Sequence, residues 1–318
     1  MALLDMKVFS ATVQDATIET LAQMVEKFNA ASRGAIRLSV DGFGGDFLMR
    51  AMFASLHSAQ RRVDRYSTNG TANATALSQI QHNSVKVAGG FGPILWEPAQ
   101  LTWIQQNPVL AVERISQNMA EAITRDMLNT AIACAVAAIE AQGSAAVYDG
   151  NTGPLSYADI NSAHAKFGDH SGLIVANVMD GTTYHGLIGQ NLVNAVNLFS
   201  AQGVTVVDIL GRAVIVTEAP ALRETSTVKD EKVLGLVTDA VIVHDARDLI
   251  TNIETSNGKD RIETTLQADY TFGLGIKGYA WDTSVKSPVD AELVDGSKWS
   301  KIATSIKHTA GVLALSAL

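Results

Sequence analysis

Three glycines near the end of the chain have the spacing of a dinucleotide-binding loop. The stretch from Gly273 to Gly278 reads GLGIKG, which matches G-x-G-x-x-G. That fingerprint binds a pyrophosphate only where a strand precedes it and a helix begins directly after it. Here the next residues, YAWDT, are aromatic and β-branched and are typical of a strand. We therefore expect these glycines to lie within a long strand, where they permit a bend or close backbone packing.

Histidines and aspartates cluster around two predicted strands and could support metal binding or acid–base catalysis. The set consists of His164, Asp169, His170, Asp180, His185, His244 and Asp245. None of these residues has the spacing of H-E-x-x-H or of another metal-ligand motif. Each also suits a structural position in a turn or on a helix face. We predict no catalytic, metal or cofactor site, and an α/β enzyme that uses His170, His185 or His244 stays open as an alternative.

Other motifs of enzyme chemistry are incomplete in this sequence. A second glycine cluster, Gly89 to Gly92, lacks the lysine that a phosphate-binding P-loop needs and suits a turn or hinge. The sequence contains no G-x-S-x-G, the nucleophile motif of α/β-hydrolases. Cys134 is the single cysteine and lies in the apolar run AIACAVAAI, so we expect a buried thiol and no internal disulfide.

Composition sets broad limits on the class of protein. The 318 residues, 18% of them charged, suit one large or two medium folded domains. A net charge of −8 and a pI near 5.3 disfavour sequence-specific binding to nucleic acid. The longest apolar run, residues 131 to 139, is shorter than the ~20 residues that span a bilayer, and the N-terminus lacks a signal-peptide pattern. We expect no membrane association and synthesis inside the cell.

The first third of the chain predicts one helix and then an extended region. The helix is predicted from Asp15 to a stop signal at Gly34. Its apolar stripe consists of Ile18, Leu21, Met24, Val25 and Phe28. Residues 41 to 106 are rich in glycine and indicate an extended arm with little core of its own. Within this arm, FLMRAMFASLHSAQRRV predicts a short helix and SVKVAGG predicts a strand.

The strongest helical periodicity runs from Pro108 to Gln142, with Gly143 suited to the helix end. At 1.5 Å per residue this helix would be ~50 Å long, which suits a spine to which other elements attach. From Leu155 the pattern alternates between helix and strand. A helix in LSYADINSAHAKFGD, with a cap at Ser156 or Asp159, precedes a strand in LIVANVM and a helix in GTTYHGLIGQNLVNAVNLF.

The remaining pattern is mostly that of strands. VTVVDILGRAVIVTEAP predicts two short strands joined by a Leu-Gly-Arg turn, and KVLGLVTDAVIVHDAR contains one further strand. Residues 261 to 283 predict a long extended run that includes the GLGIKG glycines. The chain is therefore predicted to have an α+β fold with a long helix, an extended arm and a compact region of alternating elements.

This order of elements resembles the major capsid proteins of tailed double-stranded DNA bacteriophages, which have the Hong Kong 97-like fold. Three stretches carry the likeness, which covers roughly residues 35 to 285. They are the spine helix PVLAVERISQNMAEAITRDMLNTAIACAVAAIEAQ, the helix–strand–helix LSYADINSAHAKFGDHSGLIVANVMDGTTYHGLIGQ, and the Leu-Gly-Arg turn in VVDILGRAVIVTEAP. The three stretches together are specific for this family, whereas each stretch alone is only a weak indication of it.

The resemblance implies a division of the chain into five segments. They are an N-terminal arm (1–40), an extended loop that lies over a neighbouring subunit (41–106), the spine helix of a peripheral domain (107–149), an axial domain (150–260), and return strands with a C-terminal segment (261–318). Contacts between subunits are expected at Arg61, Arg62, Arg65, Trp96 and Trp103, although the arginines also suit a solvated helix face.

The resemblance also implies a structural function without enzymatic activity. Many copies would form pentamers and hexamers of an icosahedral shell around the phage genome, in a virion assembled in the host cytoplasm. Implied partners are other copies of the chain, a portal, a decoration protein and DNA packaged without sequence recognition. Because no removable helical segment is visible at the N-terminus, a separate scaffolding protein is expected as well. A nanocompartment shell of the encapsulin type, which encloses a cargo enzyme, stays open as an alternative.

Overall fold

The computed structural model describes residues 3–39, 44–53, 62–66, 79–195, 212–224, 230–246, 248–257 and 262–317. Its helices are α1 (Leu3–Ala31), α2 (Pro98–Gln106), α3 (Pro108–Glu140), α4 (Tyr157–Ala165), α5 (Gly181–Ala195) and α6 (Asp290–Leu293). Its strands are β1 (Ile36–Ser39), β2 (Phe47–Phe53), β3 (Gln79–Trp96), β4 (Val147–Thr152), β5 (Ile174–Met179), β6 (Ala213–Val216), β7 (Arg223–Glu224), β8 (Asp230–Val237), β9 (Val241–Asp245), β10 (Ile250–Ser256), β11 (Glu263–Ile276), β12 (Tyr279–Trp281), β13 (Trp299–Lys301) and β14 (Gly311–Ala317).

The first sheet contains the glycines of the GLGIKG stretch. Its strand order is β1-β9-β11-β3-β2, and β10 also pairs with β11. β11 runs through Ile276, and Gly278 then turns the chain into β12 with a φ of +81°. A Cβ atom on Gly275 would collide with Ser84 Oγ across the sheet. The prediction of strand glycines is confirmed for Gly273 and Gly275, whereas Gly278 lies in the turn that ends the strand, and another strand rather than a helix follows it.

The second sheet is assembled from distant parts of the chain. Its strand order is β4-β14-β8-β5-β6, and β7 pairs with β8. The C-terminal strand β14 is parallel to β4 on one side and antiparallel to β8 on the other. Val312, Leu313 and Ala314 of this strand are buried. The last residues of the chain therefore form part of the core.

Helix α3 confirms the predicted spine and joins the two sheets. Pro108 occupies its first turn, and its buried stripe includes Ile123, Met127 and Ile132. The helix contacts β9 and β11 of the first sheet and β14 of the second. Its length and composition alone would also suit a bilayer span, but half of its most apolar window is buried within the protein. Cys134 on this helix is buried, as predicted, and burial raises the pKa of its thiol.

Helix α1 begins earlier than its predicted start at Asp15. Its buried residues Phe9, Val13, Leu21 and Val25 recur at multiples of four, so the apolar stripe extends toward the N-terminus. This stripe packs against α3. A helix with such a partner is stabilised by tertiary burial, which explains why the turns that carry Phe9 and Val13 are helical although they precede the predicted start.

Two other sequence predictions are corrected by strand pairing. The stretch FLMRAMF, predicted as helical, forms β2, which pairs antiparallel with β3 from Phe47 opposite Val85. The single strand expected in KVLGLVTDAVIVHDAR is divided into β8 and β9, which belong to different sheets. Asp239 lies between them with a φ of +54°, a conformation that reverses the chain. In both places nonlocal pairing overrides the local residue preferences.

Several predicted elements agree with the structure within the described residues. Helix α4 is capped by Ser156, whose hydroxyl accepts a hydrogen bond from the Asp159 backbone N–H. LIVANVM contains β5, and α5 follows it. Of the two strands predicted around the Leu-Gly-Arg turn, the second is β6 and the first lies outside the described residues.

A buried tyrosine ties the first sheet to the spine helix. The Tyr270 hydroxyl donates a 2.6 Å hydrogen bond to the Asp126 carboxylate of α3. The Tyr270 ring lies 5.5 Å from the Phe91 ring, centroid to centroid. A Cβ atom on Gly89 would come within 2.7 Å of the tyrosine ring, so the neighbouring strand has space for glycine only. Burial, followed by the Asp126 contact, raises the pKa of Tyr270.

Loss of this hydroxyl is expected to weaken the attachment between sheet and helix. Tyr270→Phe should lower the free energy of unfolding by about 1–2 kcal/mol, because the carboxylate loses a hydrogen bond that burial strengthens. Urea denaturation measures the change. Tyr66→Phe is the matched control, since Tyr66 is 90% exposed and its variant should match the wild type. Equal stability of Tyr270→Phe and wild type would contradict this account.

Candidate functional site

The histidines that could carry chemistry lie at separate structural positions. His164 ends α4 and is buried, with Nε2 2.9 Å from Asn177 Oδ1 on β5 and Nδ1 in contact with the Arg212 guanidinium. Burial and then the Arg212 charge lower the pKa of His164 to about 4, and the Asn177 hydrogen bond partly opposes them. A neutral imidazole with both nitrogens occupied is a structural polar group at neutral pH.

The pair His170 and Asp169 lies in a short 3₁₀ segment after α4. Lys307 forms an ion pair with Asp169 and thereby lowers the pKa of this carboxyl. The His170 ring contacts the His308 ring edge-on, with 5.5 Å between centroids. These contacts connect the segment to the residues just before β14. A structural role therefore explains why Asp169 and His170 are present, and no catalytic role is needed.

The other histidines and aspartates considered for catalysis or metal binding lie away from His164 and His170. His185 lies on α5 against the Tyr184 ring, and His244 is buried in β9 of the first sheet. Asp180 forms a 3.6 Å ion pair with Arg223. Within the described ranges, no group of three His, Cys, Asp or Glu side chains could hold a metal ion. The arrangement gives no support to an enzyme that uses His170, His185 or His244.

Two of the expected contact residues line an open apolar groove. The groove has a volume of about 550 Å³ and is lined by Ile94, Leu95, Trp96, Ala99, Gln100, Trp103, Ile104 and Ile115. It lies between the end of β3, helix α2 and the start of α3. Several of its large apolar side chains are open to solvent: Ile94 is 46% exposed, Leu95 38% and Trp103 42%. Exposed clusters of this kind are typical of surfaces that contact another protein.

Contacts of Trp96 and of the start of α2 fix the positions of the residues that line the groove. Trp96 is half-buried and packs edge-on against Phe9 of α1, with ring centroids 6.4 Å apart. At the start of α2 the Glu97 backbone N–H donates a 3.0 Å hydrogen bond to the Gln100 side-chain oxygen. Trp103 therefore projects from a fixed helix, and its exposure is a stable feature of the surface.

The other expected contact residues lie in a short exposed segment, residues 62–66, here called the tip. Arg62 and Arg65 are exposed there, as are Val63 at 67% and Tyr66 at 90%. The Arg65 guanidinium carbon lies 5.9 Å from the Tyr66 ring centroid. Arg61 is outside the described residues. Arginine and tyrosine next to an apolar residue are typical of the energetically dominant positions in protein interfaces.

Sequence reasoning missed the role of the arginine in the Leu-Gly-Arg turn. Arg212 Nε donates a 3.0 Å hydrogen bond to the Ile174 carbonyl, and Nη2 donates a 2.8 Å hydrogen bond to the Ser171 carbonyl. This side chain therefore ties the start of β6 to the segment that enters β5. The only signal in the sequence was the turn itself, which indicates a bend but not the groups that the arginine reaches.

The fold defined by these elements is that of phage capsid proteins. The chain matches the "Cyanophage Pam1 capsid asymmetric unit" at a TM-score of 0.56 with 13% identity, covering 89% of this chain and 88% of that one. It matches the "Acidic stable capsid structure of Helicobacter pylori bacteriophage KHP30" at 0.51 with 12% identity, covering 91% and 89%. A third match, to Mycobacterium phage Adephagia, has a TM-score of 0.51 with 12% identity and covers 88% and 87%.

The sequence itself identifies the family. A family profile described as "Gp13-like: Major capsid protein 13-like" matches residues 5–313, so the chain belongs to this family of major capsid proteins. No curated protein matches the chain. The protein is thus a shell-forming structural component of a phage virion with the Hong Kong 97-like fold, and many copies of it build the capsid. The expected fold and function are confirmed, and nothing in the comparisons favours an encapsulin or an enzyme.

Proposed function

We propose that the chain assembles as pentamers and hexamers into an icosahedral shell that encloses double-stranded phage DNA. The observation that carries the proposal is the exposed apolar groove around Trp103 in a chain whose family forms capsids. A shell requires every copy to bury surface against several neighbours. The groove and the tip are the described surfaces that combine exposed aromatic, apolar and arginine side chains.

The groove and the tip therefore contact neighbouring copies, through Arg62, Arg65, Trp96 and Trp103. We include Arg61 among these contact residues because it directly precedes Arg62 in the sequence. Tryptophan and arginine contribute most per residue to protein interfaces, because they bury a large area and, for arginine, add directed hydrogen bonds. Such contacts in a repeated shell need only modest individual strength, since each copy makes many of them.

In this assembly the five segments expected from the sequence have the following roles. Residues 1–40 precede the extended loop 41–106, segment 107–149 is the peripheral spine, 150–260 belongs mainly to the axial domain, and 261–318 returns through both. The second sheet, with α4 and α5, supports an axial unit. Because β9 and β10 pair with strands of the first sheet, we place the change from axial to peripheral domain after β8.

The wider partners follow from the same proposal. Assembly takes place in the host cytoplasm around a portal and a separate scaffolding protein, and a decoration protein binds the finished shell. The DNA is packaged without base recognition, which agrees with a net charge of −8. The chain acts without enzymatic activity, cofactor or membrane.

Assembly of the full-length chain tests this function directly. We expect sedimentation velocity and negative-stain electron microscopy to show megadalton shells, with or without a co-expressed scaffold. A species that stays monomeric or small in every condition, without tubes, sheets or capsomers, would contradict the capsid proposal.

Substitution of Trp103 tests the groove as a contact surface. Trp103→Asp should raise the protein concentration needed for assembly by about tenfold or more, because a buried carboxylate replaces an interface aromatic. Val289→Asp is the control, since Val289 is 62% exposed, lies directly before α6 and gives the same change in charge. Circular dichroism should show that both variants fold. Equal assembly of the two variants would refute the groove assignment but leave the shell function standing.

A further inference from the structure

A buried polar cluster joins α4 to the second sheet. At its centre is His164, which is 3% exposed although its side chain can carry a charge. Its Nε2 lies 2.9 Å from the Asn177 side-chain oxygen. A Cβ atom on Gly235 of β8 would lie 2.9 Å from the same nitrogen, so the ring rests directly on the backbone of that strand. The imidazole therefore has a fixed position between helix and sheet.

Arg212 connects this histidine to the beginning of β6. Its guanidinium contacts His164 Nδ1 and also donates hydrogen bonds to the carbonyls of Ser171 and Ile174, at 2.8 and 3.0 Å. Ala213, the next residue, pairs with Ala176 in the parallel ladder between β5 and β6. One side chain thus determines where the chain enters β6.

The hydrogen bonds assign the protonation state of the histidine. A guanidinium can only donate, so Nδ1 must be unprotonated to accept from Arg212. Nε2 then carries the proton and donates it to the Asn177 oxygen. A second proton on Nδ1 would remove the acceptor and place two cations in contact. The cluster is therefore compatible with the neutral imidazole alone.

Within the described part of the chain, the surroundings of His164 provide no compensating negative charge. Among the described residues, the polar contacts of His164 are with Asn177 and Arg212, and Arg212 is the charged group that faces it. β8 presents Gly235, and β14 presents the apolar Val312 beside that glycine. Because no carboxylate among the described residues stabilises the imidazolium, we expect protonation to be accommodated by movement of Arg212.

We propose that the His164–Arg212 contact is an acid-sensitive latch, which holds the entry to β6 at neutral pH and releases it when His164 is protonated. The inference concerns the chain itself and does not depend on the proposed subunit contacts. Release would act at one end of the second sheet as described, because β6 is the last strand in the order β4-β14-β8-β5-β6 among the described residues. Leu173, directly before β5, and Val216 at the end of β6 are 54% and 46% exposed, so a movement of β6 alters an apolar surface.

Hydrogen–deuterium exchange of the full-length protein tests the latch. After correction for intrinsic rates, amides of residues 213–216 should lose about tenfold protection between about pH 7 and about pH 3.5. His164→Gln is the control, because an amide can accept from Arg212 and donate to Asn177 without titrating. We expect its protection to change little over the same range. An equal loss in both proteins, or no loss in the wild type, would overturn the proposal.

Two further measurements keep the test decisive if His164→Gln fails to fold. Exchange of the imidazole C2 proton, followed by mass spectrometry, reports the titration of His164 in the unmodified protein, and a midpoint near the ordinary value of ~6.5 would overturn the latch. Arg212→Lys should lose the protection of β6 already near neutral pH, since the single ammonium nitrogen cannot reach the three separated acceptors that three guanidinium nitrogens contact. Full protection in that variant at both pH values would also overturn it.

Discussion

A chain that ends before Gly311 is expected to yield no folded protein and no shells. The deletion of residues 311–318 removes β14, which lies between β4 and β8 in the second sheet. Seven residues of β14 pair with β8, and four of them also pair with β4. The deletion therefore opens the sheet along two ladders at once and exposes the core that α3 and α4 cover.

The free energy lost with β14 is comparable to the whole stability of an ordinary domain. Burial of Val312 and Leu313, which are both 0% exposed, contributes about 1.5–3 kcal/mol for each side chain. Each ladder hydrogen bond adds about 1 kcal/mol, and unpaired buried backbone groups on both neighbours add a further penalty. Together these terms approach the 5–15 kcal/mol that separates folded from unfolded domains.

Soluble expression, circular dichroism and sedimentation measure the outcome. Removal of Leu318 alone is the control, because every paired residue of β14 is retained and shells should still form. A truncated chain that folds and assembles like the control would show that β14 is dispensable, contrary to its central position. The practical consequence is that C-terminal fusions should be joined beyond residue 317.

Sequence reasoning succeeded where the signals are local. Pro108 and the apolar periodicity after it located α3, and Ser156 with Asp159 located the start of α4. The GLGIKG stretch was assigned to a strand because the residues on both sides favour strands, which is a local property as well. In each case the side chains that decide the structure lie within a few turns or residues of one another.

Sequence reasoning failed where contacts between distant segments of the chain determine the structure. β2 has a composition that suits a helix, yet pairing with β3 makes it a strand. The groove is formed by a strand end and two helices, so its existence depends on packing that no short pattern encodes. Trp96 and Trp103 were expected at contacts between subunits, but that both line one surface could be seen only from the fold. Arg212 could not be assigned at all, since its partners are about forty residues away.

The same arginine cluster leads to a stability prediction with a defined pH window. The pKa of His164 is about 4 in the folded chain, against ~6.5 when the chain is unfolded. Between these values the unfolded chain binds more protons, so the free energy of unfolding rises with pH. This contribution is fully present above about pH 6.5 and is lost as the pH falls toward about 4.

The loss attributable to His164 should be about 3 kcal/mol across that window. Urea denaturation at about pH 7 and about pH 4.5 measures it, with His164→Gln as the reference. Carboxyl groups such as Asp282, whose pKa is lowered to about 2, lose their contribution at lower pH and act equally in both proteins. The difference between the two proteins therefore isolates the histidine. If both lose the same stability on acidification, then His164 is not protonated preferentially in the unfolded chain, and its buried neutral state in the cluster is disproved.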